Sequence, residues 1–183
     1  MNRYSMDEKY KHLAEIIKKR RSIRTFLQKK VEKEKITKII HSARYAPSAG
    51  NLQPLEIIIV DDPLIKQEIF YAALQQESIQ SAPVVLVICG DVDRTASKYG
   101  KRGRELYVIQ DIATATQNIL LTATSLGLGT VWVGAFDEDK IRRILQLPKN
   151  VRPFAIIPIG YYEKEPEVPY KRSIEEIIHY NTW

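Results

Sequence analysis

The stretch from Arg104 to about Leu126 most narrows the folds open to this chain. Apolar and small residues step along it by three and four on two lines. One line is Leu106, Ile109, Ala113, Thr116, Leu120 and Ala123; the other is Val108, Ile112, Ala115, Ile119, Thr122 and Leu126. One such line marks a helix lying on a core, and two mark a helix covered on two sides. One cover is the chain's own sheet. The second is either another element of the same chain or a helix of another subunit, and periodicity leaves both open. Gly127-Leu128-Gly129 ends the helix, because glycine best accepts the left-handed turn that follows a helix.

The rest of the chain alternates loosely between helix and strand. A helix is predicted over residues 7–20, with Tyr10, Leu13, Ile16 and Ile17 on one side, and another over 32–46, with Ile36, Ile39, Ile40 and Ala43 at helical spacing. Pro47 stops the second, since the residue before a proline is pushed out of helical geometry. Strands are read at 56–60, 84–89, 130–134 and 155–160, and shorter helices at 64–74 and 138–145, the latter capped by Asp137. Pro158 inside the last strand calls for an edge position or a bulge. Asp91–Gly103 is polar and aperiodic and reads as a surface loop over a site. No repeat or boundary divides the 183 residues, so a single domain over 1–183 is expected.

Several function classes fall away. No apolar run approaches the roughly 18 residues of a membrane span, and the start, Met1 to Glu8, has no apolar signal core. A cytoplasmic protein with no membrane partner is expected. The single Cys89 excludes an internal disulfide or a multi-cysteine metal site, and its apolar neighbours point to an inert thiol. His12, His41 and His179 are isolated, so no metal is expected. The net charge is +6 and the pI about 9.3. That charge is spread along the chain without zinc-finger or RNP-type spacing, and a bound anionic cofactor accounts for it as well as nucleic acid does. GxGxxG, GxxxxGK[ST] and GxSxG are all missing.

Three segments carry chemistry. Arg20-Arg21-Ser22-Ile23-Arg24 follows the first helix. If the chain is extended there, Arg20, Ser22 and Arg24 share one face and Arg21 and Ile23 the other. Planar guanidinium forks with a hydroxyl suit a phosphate; the alternative is a basic helix end favoured by the dipole. Pro47-Ser48-Ala49-Gly50-Asn51-Leu52-Gln53-Pro54 brackets two amides and a hydroxyl in a loop where backbone can approach a flat ring, or is simply a turn. Thr130-Val131-Trp132-Val133-Gly134 ends in a glycine that admits close approach. With no evident acid, base or nucleophile beside them, these segments fit a cofactor that carries the chemistry itself. Tyr99 and Tyr107 are the only candidate acids, and each also suits a structural role.

In this order and spacing, Lys19 to Arg24, Ala46 to Pro54 and Gly127 to Phe136, with Lys171 to His179 at the end, resemble the FMN-dependent nitroreductase family. The resemblance implies an α+β fold, a central, mostly antiparallel sheet flanked by helices, in an intertwined homodimer with two FMN molecules at its interface. It implies that Arg20, Arg21, Ser22 and Arg24 hold the FMN phosphate, joined by Lys171 and Arg172. It implies that the loop from Pro47 through Ser48, Ala49 and Asn51 to Gln53 meets the isoalloxazine from the other subunit. Backbone at Trp132, Val133 and Gly134 would then approach the ring and its N5. The helix 104–126 would form the dimer core, and the tail from about 171 to 183 would embrace the partner.

The activity implied is that of an NAD(P)H oxidoreductase. Hydride passes from the nicotinamide to the flavin and on to a small acceptor such as a nitroaromatic or quinone, with no catalytic side chain assigned. Alternatives are a specialised flavin enzyme on the same fold, such as a reductive dehalogenase, or a non-catalytic flavin- or nucleic-acid-binding protein. The chain is short for the family between its second and third motifs, where the substrate pocket is shaped, so the resemblance does not extend to the acceptor.

Overall fold

The computed structural model describes residues 6–183. Met1–Ser5, part of the start read above as lacking a signal core, lie outside the described residues. The helices are α1 (Met6–Lys19), α2 (Lys33–Ala43), α3 (Pro63–Ala72), α4 (Glu77–Ser81), α5 (Val92–Arg102), α6 (Val108–Ser125) and α7 (Glu138–Ile144). The strands are β1 (Leu55–Val60), β2 (Val84–Asp91), β3 (Gly129–Thr130) and β4 (Val151–Gly160). Among the described residues no helix is long and apolar enough to cross a membrane.

The strands form one antiparallel sheet in the order β1-β2-β4-β3. β2 is buried on both faces. Val84, Leu86 and Ile88 face a core built with Ile36 and Ile39 of α2 and Ile112 and Ile119 of α6. Val85, Val87 and Cys89 face a second core with Ile69 of α3, Ile79 of α4 and Ile141 of α7. A continuous apolar strand between two helical layers therefore replaces the in-and-out alternation of a one-sided sheet. Burial pushes the Cys89 thiol up to about 12, so it is an inert core group.

Aspartates set three helix starts. Asp62 Oδ1 accepts from the amides of Leu64 and Ile65, Asp91 Oδ1 from those of Asp93 and Arg94, and Asp137 Oδ1 from that of Lys140. The second of these corrects the expected loop over Asp91–Gly103, which is helix α5. Only Val92 and Thr95 of that helix are buried, too few inward positions to show as a period. Gly100, at φ 53°, interrupts it, and the π-helical turn Gly103–Tyr107 carries the chain into α6. A Cβ on Gly103 would stand 2.6 Å from the Thr95 carbonyl oxygen, so the turn can close only on glycine.

The strand expected at 130–134 is shorter than predicted. Gly129 and Thr130 pair with Gly160 and Ile159, and Val133 pairs with Ile156 by two hydrogen bonds of 2.9 Å. The same register sets Val131 opposite Pro158, which has no N–H to give, and the ladder opens there. β4 is therefore an inner strand and not the edge strand expected from Pro158, and the proline is accommodated where the pairing with β3 lapses between Thr130 and Val133.

Most of both seams of α6 is covered within the chain, from Val108 and Ile112 to Leu120 and Ala123, although Ile109 remains exposed. Unpartnered apolar surface lies elsewhere. Tyr10, Leu13 and Ile17 of α1 are exposed, as are Tyr170, Ile174, Ile177, Tyr180 and Trp183 of the tail. Ser173 and Glu176 do form the reciprocal capping pair expected from their spacing, at 2.6 and 3.4 Å.

Candidate active site

The basic segment is extended, which decides between the two readings that its sequence left open. Ser22 forms a parallel bridge with Thr130, the Ile23 amide donates to the Thr130 carbonyl at 2.9 Å, and the Ile23 side chain is buried. A Cβ on Gly129 would stand 2.7 Å from Ile23, so glycine lets the segment lie this close to β3. Arg20, Ser22 and Arg24 alternate with the inward Ile23. Arg21 behaves differently: its Nη1 donates to the carbonyls of Lys18 and, at 3.0 Å, Arg20, which closes the end of α1. One of the four basic-segment residues thus serves the helix end, as the alternative reading held. Its Nε is buried without a partner, and so is Thr130 Oγ1 beside Ser22. Among the described residues the Arg20 guanidinium forms no hydrogen bond or ion pair, and that of Arg24 reaches only the Ser22 carbonyl, at 3.5 Å.

The loop is a tight, pinned structure. Ala49–Asn51 makes a 3-10 turn, and Gly50, Asn51 and Gln53 all hold left-handed backbone, at φ 58°, 56° and 51°. Only glycine adopts that region without cost, so neighbours must hold the two amide residues there. Gln53 N donates to Ser48 Oγ at 3.0 Å. From α5, Arg94 Nε donates to the Leu52 carbonyl at 2.6 Å, and a Cβ on Gly50 would meet the Tyr99 hydroxyl at 2.7 Å. From α6, Asp111 Oδ1 accepts from the Ala49 amide at 2.9 Å, and Thr114 Oγ1 lies 3.2 Å from the Pro47 carbonyl oxygen. The Asn51 side chain is left exposed at the rim.

The remaining positions are simply placed. Val133 is buried, while Trp132 and Gly134 face outward. A Cβ on Gly134 would touch only the Trp132 indole, at an ordinary 3.6 Å, so packing within the chain does not require the glycine. Lys171 and Arg172 are exposed on the tail, with the Arg172 guanidinium donating to the Glu176 carbonyl. Tyr99 and Tyr107 meet edge to face at 5.1 Å, and the Tyr107 hydroxyl accepts from Arg102 Nε at 2.9 Å, which favours their structural role. No group of three or more histidine, cysteine or acidic residues able to hold a metal occurs among the described residues.

The sheet register separates the two halves of this site. Ser22 stands beside Thr130, Thr130 opposite Ile159, and Ile159 opposite Val84 at one end of β2. The loop enters the sheet at Leu55, opposite Gly90 at the other end. At about 3.4 Å per residue and about 4.8 Å per strand, Ser22 and Leu55 are roughly 25–30 Å apart.

The sequence model of the Nitroreductase family matches residues 17–77 and 65–161, which include the basic segment, the loop and the strand end. The chain belongs to the nitroreductase family. An NAD(P)H FMN reductase of Bacillus subtilis (strain 168) is 31% identical over 180 residues, covering 89% of this chain and 71% of that protein. A nitroreductase family protein from Clostridium difficile 630 superposes with a TM-score of 0.82 at 36% identity, over 92% of this chain and 98% of that one. Nitroreductase A from Vibrio parahaemolyticus RIMD 2210633 gives 0.86 at 28% identity, over 93% and 76%. The antiparallel sheet between helical layers is thus the nitroreductase-like fold.

Set in the nitroreductase frame, three residues that sequence reasoning missed hold the loop: Arg94, Asp111 and Thr114. Asp111 had a visible signal, an acidic residue between the apolar positions Val108 and Ile112 of a doubly covered helix. Burial raises its carboxyl above the usual aspartate range, against the pull of the Ala49 hydrogen bond. Arg94 and Thr114 carry no such signal.

Proposed function

We propose that this nitroreductase-family chain is an FMN-dependent oxidoreductase that takes hydride from NAD(P)H and reduces a small acceptor such as a nitroaromatic or quinone. We further propose that it works as a homodimer, each site drawing on both subunits. The observation that carries this reading is the separation of the basic segment from the loop. The gap of roughly 25–30 Å exceeds the reach of one FMN, so a loop from a second copy completes the site around the first copy's phosphate segment.

The chain's own groups suit that cofactor. The guanidinium groups of Arg20 and Arg24 and the Ser22 hydroxyl would hold the phosphate, with the buried, unpartnered Thr130 Oγ1 and Arg21 Nε beside them. Lys171 and Arg172 would reach the same anion from the tail. Backbone at Val133 and Gly134 would lie against the ring, and Asn51 of the second copy would face a ring edge. When bound, FMN supplies the hydride chemistry, and the cationic surroundings favour its anionic reduced form. The exposed apolar faces of α1 and the tail would be covered in the dimer.

The purified protein is expected to be yellow, to be bleached anaerobically by NADH or NADPH, and to recolour on addition of a quinone or nitroaromatic. A colourless protein that neither FMN nor riboflavin restores would overturn the reading. A yellow protein that no nicotinamide bleaches would leave a flavin carrier.

A further inference from the structure

Within the inward stripe of α6, between the buried Val108 and Ile112, the chain places a carboxylate. Asp111 is only 8% exposed, yet just one of its oxygens is satisfied: Oδ1 accepts from Ala49 N at 2.9 Å, and Oδ2 is buried without a partner. A half-satisfied buried acid costs stability, and an apolar residue of similar size often improves a fold at such a place. The carboxyl also lines a cavity of about 150 Å³ under the loop, with Arg44, Pro47, Ser48 and Gln53. Among the described residues, Arg44 is the only other charged residue lining that cavity.

What Asp111 holds is a run of left-handed backbone beside the site. Ala49 opens the turn in which Gly50, Asn51 and Gln53 adopt left-handed geometry. Thr114, one helical turn further on, lies against Pro47 at the other side of the same loop. Both groups reach the loop.

We infer that Asp111 is a positioning residue of the site: through Ala49 it fixes the strained 47–53 loop in the geometry that presents Asn51 and its neighbours to the ligand. The ligand arm of this inference rests on the flavin reading above; the loop arm does not.

The test compares Asp111→Ala and Asp111→Asn with the parent in three measurements: amide exchange over residues 48–53 in the flavin-free protein, FMN affinity, and melting temperature without flavin. The alanine variant should exchange these loop amides about tenfold faster and bind FMN about tenfold more weakly, with no fall in melting temperature. Asparagine still offers Ala49 an oxygen, so it should bring exchange and affinity back to within about threefold of the parent. Unchanged loop exchange and FMN affinity in the alanine variant would overturn the assignment. So would a lower melting temperature or failure to fold, which would make Asp111 a residue of the core. An asparagine variant as impaired as alanine would also overturn it, since the charge and not the acceptor would then matter. If the parent binds no FMN, the flavin reading fails, while the exchange measurement still decides whether Asp111 holds the loop.

Discussion

Ser22 pairs in parallel with Thr130, and this one bridge turns a basic helix end into part of the sheet edge. Ile23 is buried beside it, while among the described residues Arg20 has no side-chain partner and Arg24 reaches only the Ser22 carbonyl, at 3.5 Å. The phosphate assignment depends on that geometry.

Removing one fork should therefore weaken FMN binding by about 2–5 kcal/mol, as for a desolvated charge-assisted contact, which is roughly 30-fold or more. Arg20→Ala should purify largely without flavin yet remain folded, because Arg20 lies outside both cores. Riboflavin lacks the phosphate, so the parent should prefer FMN strongly and Arg20→Ala should lose most of that preference. Titration of both proteins with both ligands at one fixed salt concentration checks this, and an unchanged preference ratio removes Arg20 from the site.

The tail makes a separate prediction. Tyr170, Ile174, Ile177 and Trp183 are exposed, with Trp183 99% exposed, and the proposed dimer would cover them. A chain ending at Pro169 should dimerise less tightly and hold FMN less well, because it loses both the cover and Lys171 with Arg172. Light scattering with a flavin absorbance ratio at micromolar protein reads both effects. A truncated chain that remains dimeric and fully loaded would confine the tail to a passive role.

Asp111 also predicts a pH dependence. Burial raises its carboxyl above the usual value, so the folded state binds the proton more tightly than the unfolded one. Stability from this group is then lost as pH rises from about 3.9, the unfolded value, and levels off above the folded value. Asp137 has the opposite sign: hydrogen bonding by the Lys140 amide lowers it, so its contribution is present above the usual value and lost as pH falls. Asp111→Asn removes the first effect and leaves the second. The unfolding free energy of the parent minus that of the asparagine variant should decline as pH rises above about 4 and then level off, in urea titrations. A flat difference would mean that the carboxyl is not desolvated.

Where sequence reasoning succeeded, a local rule carried the information. The two seams of α6, the Asp137 cap and the Ser173–Glu176 capping pair each follow from periodicity or capping. Where it fell short, the deciding contact was distant in sequence or too sparse to form a pattern. Helix α5 buries only Val92 and Thr95, and β3 ends early because Pro158 lies opposite Val131. Arg21 looked like its neighbours until its guanidinium was seen folded onto the Lys18 and Arg20 carbonyls. The hold of Asp111 on Ala49 spans 62 positions, and no spacing rule links them.

The central claim is that each flavin site is built from two chains, and complementation tests it most directly. One variant carries Arg20→Ala with Arg24→Ala, which spoils the phosphate half. The other carries Gly50→Val, which puts a side chain at φ 58° against the Tyr99 hydroxyl and spoils the loop half. Each alone should hold little FMN. Co-refolded in equal amounts, half of the dimers are mixed, and one of the two sites in each mixed dimer unites both intact halves. FMN occupancy should therefore return to roughly one quarter of the parent level, with matching NAD(P)H oxidation. Occupancy that stays at the average of the two separate variants would contradict a shared site and place the whole of it within one chain.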